Sequence, residues 1–420
     1  MLFELFGYKI EIRYEIHERM IAMKDTLFQE IDKLKSELVT LSTDIHQNPE
    51  LAFEEHKSAA FVAELMKGHG FEVEFPVGGL ATAFKATYNG SGDGPTIAFM
   101  AEYDALPEMG HACGHNLIAM ASAGAAIGVS KIMNKLPGKV VLLGTPAEEL
   151  GGGKIHMITN GAFEGIDFAL MAHPGRSNKV GGKSLAITDV TVEFFGRPAH
   201  SSRPEDGINA LAAILHTFYL IDSLRTAMPV KTNINGIINE GGKAANIIPE
   251  YAKATFAVRG ATVKDLQTVL EMVKSAIRAA ESFTGATARV DIDVLYAESY
   301  ENMAMSEVYK KHMEEFGDKV EYQDPNIKAG SSDTANVQIK MPAIQPGFKV
   351  CDSHVVGHTL EYRDACLTDR AHNATIKAAK ALAATAYELF TDENLRTATI
   401  KEFKETVPAY TDEDTKIIHY

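Results

Sequence analysis

The fold of this protein is decided by residues 139–144, which have the sequence Lys-Val-Val-Leu-Leu-Gly. Such an uninterrupted apolar run predicts a strand that is buried on both faces, as in a parallel sheet. Residues 96–101 (Thr-Ile-Ala-Phe-Met-Ala) and 168–172 (Phe-Ala-Leu-Met-Ala) have the same character. Residues 117–133 are small and apolar throughout, which is typical of a helix packed tightly on a sheet. Strands that alternate with helices predict an α/β fold, whose mostly parallel sheet is covered by helices.

Elements on both sides of this centre extend the same pattern. Apolar residues recur at helical spacing in residues 24–45, and residues 56–68 form a second predicted helix. Alternation of apolar and polar residues predicts strands at 71–75 and 83–89. The last predicted element is a helix at 368–390.

The pattern changes near residue 185, where strands with clear alternation replace the buried apolar runs. The additional elements are strands at 186–196, 231–239, 252–259 and 288–295 and helices at 207–226 and 263–281. These elements form an inserted α+β domain, residues 186–298, with a four-stranded antiparallel sheet and two helices. We therefore expect it to interrupt a larger, discontinuous domain made of residues 1–185 and 299–420.

Charge and cysteine content limit the expected partners and compartment. The chain has 41 basic and 56 acidic residues, a net charge of −15, which repels nucleic acid and anionic membranes. No apolar run approaches the roughly 18 residues of a membrane span. The sparse, odd set of Cys113, Cys351 and Cys366 indicates a reducing, cytoplasmic compartment. The apolar first residues are interpreted as an extension, with a true start at Met20 or Met23.

Side chains that commonly bind metal ions cluster in two short segments. In His111-Ala-Cys113-Gly-His115, alternate residues of an extended segment would point the same way, so that thiolate and imidazole could bind one transition-metal ion. In Glu148-Glu149, after strand 139–144, one carboxylate could bind metal while its neighbour acts as a general base. Each segment alone also has an ordinary interpretation, namely a turn beside a buried free cysteine and a solvated acidic loop.

Side chains of types that bind metal ions also occur at three further places. His173 follows the strand 168–172, His358 lies in Gly-His-Thr, and Glu102 and Asp104 close the strand 96–101. A single histidine is more often structural than a ligand, and acids at a strand end can bind metal or orient a ligand. Because sites in α/β sheets form at the carboxyl ends of strands, we expect all five places to follow strands and to form one metal site together.

In this order, the motifs resemble those of the M20 family of metallopeptidases and amidohydrolases, closest to its aminobenzoyl-glutamate hydrolases and PM20D2-like dipeptidases. The resemblance rests on Glu-Tyr-Asp-Ala-Leu-Pro at 102–107, His-Ala-Cys-Gly-His-Asn-Leu-Ile-Ala at 111–119 and Pro-Ala-Glu-Glu at 146–149. Asn116 and Thr145 depart from the auxin-conjugate amidohydrolases of the family, which usually have aspartate and glutamine there. These departures weaken the case for auxin-type substrates.

The resemblance implies a centre with two divalent metal ions, zinc or manganese, with cobalt as a further choice. It implies Glu148 as the general base and Asp104 as a residue that orients the site, and it leaves Glu102 unassigned. The implied metal ligands are Cys113, His115, Glu149, His173 and His358.

For the insertion, the resemblance implies a lid that also mediates dimerisation, so a homodimer or a tetramer is expected. His200 matches a histidine that reaches the neighbouring subunit's active site and stabilises the oxyanion. Asn246 and Arg259 match residues that bind the substrate backbone and carboxylate. Gly330 and Ser331 match an element that lines the same pocket.

The predicted function is metal-dependent hydrolysis of an amide bond in a small substrate. The candidate substrates are a dipeptide, an N-acyl amino acid and an aminobenzoyl-glutamate-like conjugate. Two other classes remain open. A thiol hydrolase would use Cys113 as nucleophile and His115 as base, so iodoacetamide and not a chelator would abolish its activity. A non-catalytic relative would retain the fold as a binding or scaffold module.

Overall fold

The computed structural model describes residues 22–324 and 330–411. Residues 1–21, which include most of the extension expected from the sequence, lie outside the described residues. The helices are α1 (22–33), α2 (Lys35–Gln47), α3 (His56–Gly68), α4 (His115–Ser130), α5 (Gly153–Thr159), α6 (Ala210–Leu224), α7 (Val263–Thr284), α8 (Met303–Glu315), α9 (Thr334–Gln338), α10 (Leu360–Ala365), α11 (Asp369–Thr391) and α12 (Glu393–Thr406). The strands are β1 (Glu72–Glu74), β2 (Phe84–Asn89), β3 (Thr96–Ala101), β4 (Lys139–Gly144), β5 (Phe168–Leu170), β6 (His173–Gly175), β7 (Lys179–Val180), β8 (Ala186–Phe195), β9 (Asn233–Glu240), β10 (Tyr251–Gly260), β11 (Thr287–Ile292), β12 (Glu321–Tyr322), β13 (Ala343–Ile344) and β14 (Gly347–Lys349).

The described residues divide into two units, each with its own sheet. The first contains residues 22–182, 300–324 and 337–408, and the second contains residues 183–299, 330–336 and 409–411. The boundaries at 186 and 298 that the sequence indicates stay a prediction of domain organisation. Within the described part of the chain, no helix is both long enough and apolar enough to span a membrane.

The main sheet of the first unit has the strand order β1-β2-β4-β3-β5-β13. Strands β4, β3, β5 and β13 run parallel, whereas β1 and β2 form an antiparallel edge. Side chains of β3 alternate between two cores: Ile97 and Phe99 pack with α2, α4 and α11 residues, while Ala98 and Met100 pack with Met157 of α5. The predicted α/β sheet with both faces covered is therefore confirmed, and the apolar runs follow from this double burial.

Helix α4 lies against this sheet and is buried along its whole length. It contacts β3, β4, α2 and α11, as expected of a helix made of small residues. The sequence analysis was wrong about the end of the chain, because α12 follows the helix that was expected to be last. Helix α12 has little buried surface to create a periodic pattern, but Asp392 caps it by accepting the N–H of Asn394 at 2.8 Å.

The second unit contains an entirely antiparallel sheet with the order β11-β8-β10-β9. Strand β10 alternates regularly between buried and half-buried residues, and α6 and α7 both contact it. The predicted four-stranded antiparallel sheet with two helices is thus confirmed. A smaller sheet in the first unit, β12-β7-β14-β6, was not predicted, because its strands are only two or three residues long.

Candidate metal centre

The parallel strands β3, β4 and β5 place several acids and a histidine at one edge of the main sheet. Glu102 directly follows β3, and Glu148 and Glu149 lie in the loop after β4. His173 follows β5 after two residues and begins β6. Because parallel neighbours end at the same edge, residues far apart in the sequence converge there.

The segment around Cys113 differs from the extended geometry expected from its sequence. The chain turns at Gly114, whose φ is 88°, and His115 is the first residue of α4. A side chain at position 114 would place its Cβ 2.8 Å from Pro174 Cγ, so glycine is required by the backbone conformation and by the space. Cys113 and His115 therefore converge through a turn and a helix start rather than through strand alternation.

His358 also departs from the expectation that every ligand follows a strand. It lies in a turn before α10 and has a left-handed φ of 59°. Its backbone N–H donates to the carbonyl oxygen of Ala112 at 2.9 Å, which ties this distant segment to the neighbour of Cys113. The His358 side chain is half exposed, whereas that of Glu149, 3.6 Å away between Nε2 and Oε1, is nearly buried.

Asp104 fixes the orientation of His115. Its Oδ1 accepts a hydrogen bond from His115 Nδ1 at 2.8 Å, and its Oδ2 accepts the N–H of Glu149 at 2.9 Å. A carboxylate cannot donate, so Nδ1 carries a proton and Nε2 points towards the acids: 3.4 Å from Glu102 Oε2 and 3.8 Å from Glu148 Oε2. Burial lowers the pKa of His115, but the combined interactions with Asp104 and Cys113 raise that pKa well above its ordinary value.

The ring of His173 is held in a similar way, by the backbone of the next residue. Its Nδ1 lies 2.8 Å from the carbonyl oxygen of Pro174, which can only accept, so Nε2 is left as the free ring nitrogen. That atom lies 3.6 Å from Cys113 Sγ. Burial lowers the pKa of His173, which favours the neutral ring that a metal ion requires, and burial raises the pKa of the Cys113 thiol.

The predicted ligands fall into overlapping groups whose donor atoms lie within 4.8 Å of one another. One group unites Cys113, His115 and His173, and a second unites Cys113, Glu149 and His358. Cys113 belongs to both groups. Among the described residues, His115 Nε2 and Glu149 Oε1 are buried without a hydrogen-bond partner. Buried polar atoms are normally satisfied, so this mixed nitrogen, sulfur and oxygen set fits divalent metal ions.

Two charged residues of the centre have no predicted role: the sequence left Glu102 unassigned and did not indicate Lys154 at all. Glu102 and Lys154 are both fully buried, and Lys154 Nζ lies 2.6 Å from Glu102 Oε1. The other carboxylate oxygen of Glu102 forms a third group with His115 and Glu148. Lys154 was missed because a single lysine after a Gly-Gly-Gly stretch has no sequence feature that signals burial. Its ammonium group offsets part of the negative charge at the sheet edge.

The second unit brings its predicted residues together in two places. The backbone of His200 pairs with Ile247, and the N–H of Ser201 donates to the carbonyl oxygen of Asn246 at 3.0 Å. Arg259, near the end of β10, donates from Nη1 to Ser331 Oγ at 3.3 Å. Gly330 adjoins Ser331 in the chain.

Comparison with known proteins identifies the family. Residues 185–283 match the peptidase dimerisation domain. The chain is 36% identical over 403 residues to an Xaa-Arg dipeptidase of Mus musculus, with 91% of this chain and 92% of that protein covered. It is 26% identical over 434 residues to a p-aminobenzoyl-glutamate hydrolase chain of Escherichia coli (strain K12), with 84% and 89% covered. A dinuclear metal-binding peptidase from the M20 family of Bacillus subtilis shares the fold, with a TM-score of 0.65, 19% identity, and 86% and 99% covered.

This chain belongs to the M20 family of metallopeptidases and amidohydrolases. The resemblance to the dipeptidase and aminobenzoyl-glutamate hydrolase branches is confirmed, and so is the prediction that the protein is a hydrolase of this family. Family membership and the grouped ligand atoms support metal-dependent amide hydrolysis with divalent ions.

Proposed function

We propose that this protein hydrolyses the amide bond of a small substrate, with Glu148 as general base beside two divalent metal ions. The observation that carries the proposal is the convergence of potential metal ligands within the described residues, two of which, His115 and Glu149, have a buried atom without a hydrogen-bond partner. The residues proposed to hold the ions are Cys113, His115, Glu149, His173 and His358. Zinc and manganese both suit this ligand set, and cobalt is a further choice.

Bound there, the ions would supply Lewis acidity towards a water molecule and towards the substrate carbonyl group. The protein's own contribution begins with proton transfer. Glu148 is proposed to accept a proton from the attacking water and to deliver it to the leaving amine. Glu149 belongs to the group with Cys113 and His358, so the adjacent carboxylates can divide metal binding and base catalysis.

Glu148 is a better candidate for the base than Glu102, which also faces His115 Nε2. Glu102 is fully buried and bound to Lys154, whereas Glu148 retains a small exposed fraction of 9%. A general base must come within hydrogen-bond reach of the proton that it removes. A residue that keeps some exposure can meet water and substrate, and a fully buried residue cannot.

Residues of the second unit are proposed to bind and polarise the substrate. Arg259 suits a substrate carboxylate because its guanidinium group can form two parallel hydrogen bonds. Asn246, Gly330 and Ser331 are proposed to contact the substrate, and His200 to stabilise the oxyanion from a partner subunit. The match of residues 185–283 to a peptidase dimerisation domain supports a homodimer, with a tetramer as the larger alternative.

The candidate substrates are ranked by the names of the relatives and their sequence identity to this chain. Dipeptides with a C-terminal arginine come first, because the 36% identical relative is an Xaa-Arg dipeptidase. Aminobenzoyl-glutamate-like conjugates and N-acyl amino acids follow, the former because of the 26% identical hydrolase chain. A cytoplasmic location is proposed because all the cysteines are free.

A thiol-hydrolase mechanism is not favoured by the surroundings of Cys113. Catalytic cysteines have a lowered pKa, whereas burial raises the pKa of Cys113. The scaffold alternative predicts no turnover under any condition. Turnover of any substrate excludes the scaffold alternative, and adding iodoacetamide or a chelator to the same assay tests the thiol-hydrolase alternative.

The test is a screen of dipeptides, N-acyl amino acids and aminobenzoyl-glutamate with zinc, manganese or cobalt supplied separately. Two variants accompany the parent protein. Glu148→Ala should keep its bound metal and lose most turnover, since general-base catalysis contributes about 10²–10⁴-fold. Cys113→Ala should instead bind less metal per chain. Turnover of Glu148→Ala within about tenfold of the parent would exclude Glu148 as the base.

A further inference from the structure

The residue directly before Glu148 and Glu149 has a strained backbone. Ala147 has a φ of 59°, in the left-handed region that non-glycine residues rarely adopt. Such a conformation persists only where surrounding contacts hold it, and it sets the direction in which the next side chains leave the backbone. The contact that holds Ala147 therefore also orients Glu148.

That contact is made by Glu55, a fully buried acid outside all the motifs described above. Its Oε1 accepts the N–H of Ala147 at 2.8 Å and the N–H of Phe53 at 3.0 Å. Phe53 is itself left-handed, with a φ of 66°. One carboxylate oxygen thus binds the N–H groups of two strained residues that belong to different loops.

Neighbouring contacts keep Glu55 in place. Thr82 Oγ1 donates to Glu55 Oε2 at 2.8 Å, and the hydroxyl of Tyr103 donates to the carbonyl oxygen of Thr82 at 2.6 Å. At the far end of the same loop, Gly151 leaves room for Phe53: a Cβ at this position would lie 2.4 Å from Phe53 Cε2. Residues on both sides of Glu148 and Glu149, namely Ala147 and Gly151, therefore lie against residues 53–55.

The surroundings of Glu55 disfavour the ionised form of its carboxyl group. Burial first, and then the negative charge of Asp104, raises the pKa of Glu55 to about 7. An acid kept inside the protein beside another acid costs stability, and such perturbed groups concentrate at functional sites.

We propose that Glu55 is a positioning residue for amide hydrolysis, which orients Glu148 and Glu149 by binding the backbone of Ala147. It transfers no proton and binds no metal; it acts only through the loop. The proposal rests on the proposed function, because it takes Glu148 as the base. What matters is an acceptor oxygen at the position of Oε1, and not the negative charge.

Three substitutions separate the acceptor from the charge. Glu55→Gln retains an oxygen at the same reach without the charge, and its kcat should stay within about threefold of the parent. Glu55→Asp retains the charge but shortens the side chain by one methylene group, which moves the acceptor oxygen away from Ala147. Glu55→Ala removes the acceptor altogether. Both should lower kcat about 10²-fold with KM changed less than about threefold, since a displacement of about 1 Å costs that much.

Glu402→Ala is the matched control. Glu402 accepts the backbone N–H groups of Met303 at 2.7 Å and Ala304 at 2.8 Å, so its loss also leaves two donors without this acceptor. Because Glu402 is not among the candidate site residues, its variant should keep the parent kcat even where its melting temperature falls. Equal loss of kcat in Glu402→Ala and Glu55→Ala would overturn the proposal.

Hydrogen exchange provides a readout that does not depend on turnover. The amide of Ala147 should exchange faster in Glu55→Asp than in the parent, and at the parent rate in Glu55→Gln and Glu402→Ala. Glu55→Asp with the parent kcat and exchange rate, or Glu55→Gln as impaired as Glu55→Asp, would each overturn the proposal. Glu148→Ala is assayed in parallel: if it retains turnover, the proposed function fails, whereas its inactivity beside an active Glu55→Asp refutes only the role of Glu55.

Discussion

Replacing Asp104 with asparagine tests how the orientation of a ligand controls metal binding. The two oxygens of Asp104 accept hydrogen bonds from His115 Nδ1 at 2.8 Å and from the N–H of Glu149 at 2.9 Å. Asparagine offers one acceptor oxygen and one NH₂ donor, so one of these two donors must face another donor. If that donor is His115, Nδ1 keeps only the carbonyl oxygen of residue 104, at 3.0 Å, as an acceptor. The ring is then held less firmly, and its proton can shift to Nε2, the nitrogen that would bind metal. If it is Glu149, the backbone beside a proposed ligand is displaced.

We expect the apparent metal affinity of Asp104→Asn to fall about 10- to 100-fold, the usual effect of losing a residue that orients a ligand. This corresponds to about 1.4–2.8 kcal/mol. The assay titrates metal-free protein with zinc or manganese against a competing chelator, and elemental analysis counts bound metal per chain. Asp167→Asn is the matched control, because exposed Asp167 accepts the backbone N–H of Thr96 at 2.8 Å but has no place in the centre. An affinity for Asp104→Asn within about twofold of the parent would refute the reasoning.

Two further predictions concern buried charge. Lys154→Met leaves the carboxylate of Glu102 buried without its 2.6 Å partner, so the free energy of unfolding in urea should fall by about 3–5 kcal/mol. Lys67→Met removes an exposed pair with Glu64 at the same 2.6 Å and should cost less than about 1 kcal/mol; equal losses would contradict the role of burial. For Glu55, the folded pKa of about 7 lies above the ordinary 4.5, so its stabilising contribution is complete below 4.5 and is lost as pH rises through 7. Glu55→Gln lacks this titration, and its stability relative to the parent should rise by about 3 kcal/mol between pH 4.5 and 8; a constant difference would argue against the raised pKa.

Several elements could be predicted because their sequence patterns record local burial. The helix expected at 56–68 and the strands expected at 96–101 and 139–144 have those bounds in the structure. The two strands are uninterrupted apolar runs and the helix ends at a glycine, so each can be recognised from its own residues. Helix α12 and the two- and three-residue strands have no such pattern, because they bury little or are too short to repeat.

For the centre, the sequence could supply the chemical types but not the geometry that brings them together. Cys113 and His115 were expected to converge through an extended segment, and the structure instead uses a left-handed glycine and the first turn of α4. His358 follows no strand and reaches Ala112 through a backbone hydrogen bond. Loop conformations of this kind depend on contacts with distant parts of the chain, which no local pattern encodes.

By itself, the sequence determined the α/β class, the inserted antiparallel domain and the family. The apolar patterns and the order of the motifs can be recognised in the sequence without a structure. Only the tertiary structure decided which atoms face each other. It set Cys113 Sγ beside His173 Nε2, paired Lys154 with Glu102, and placed Glu55 under Ala147. The physical reason is that a buried polar atom must find a partner in space, and the order of strands in the sheet, rather than distance along the chain, determines which partners are near.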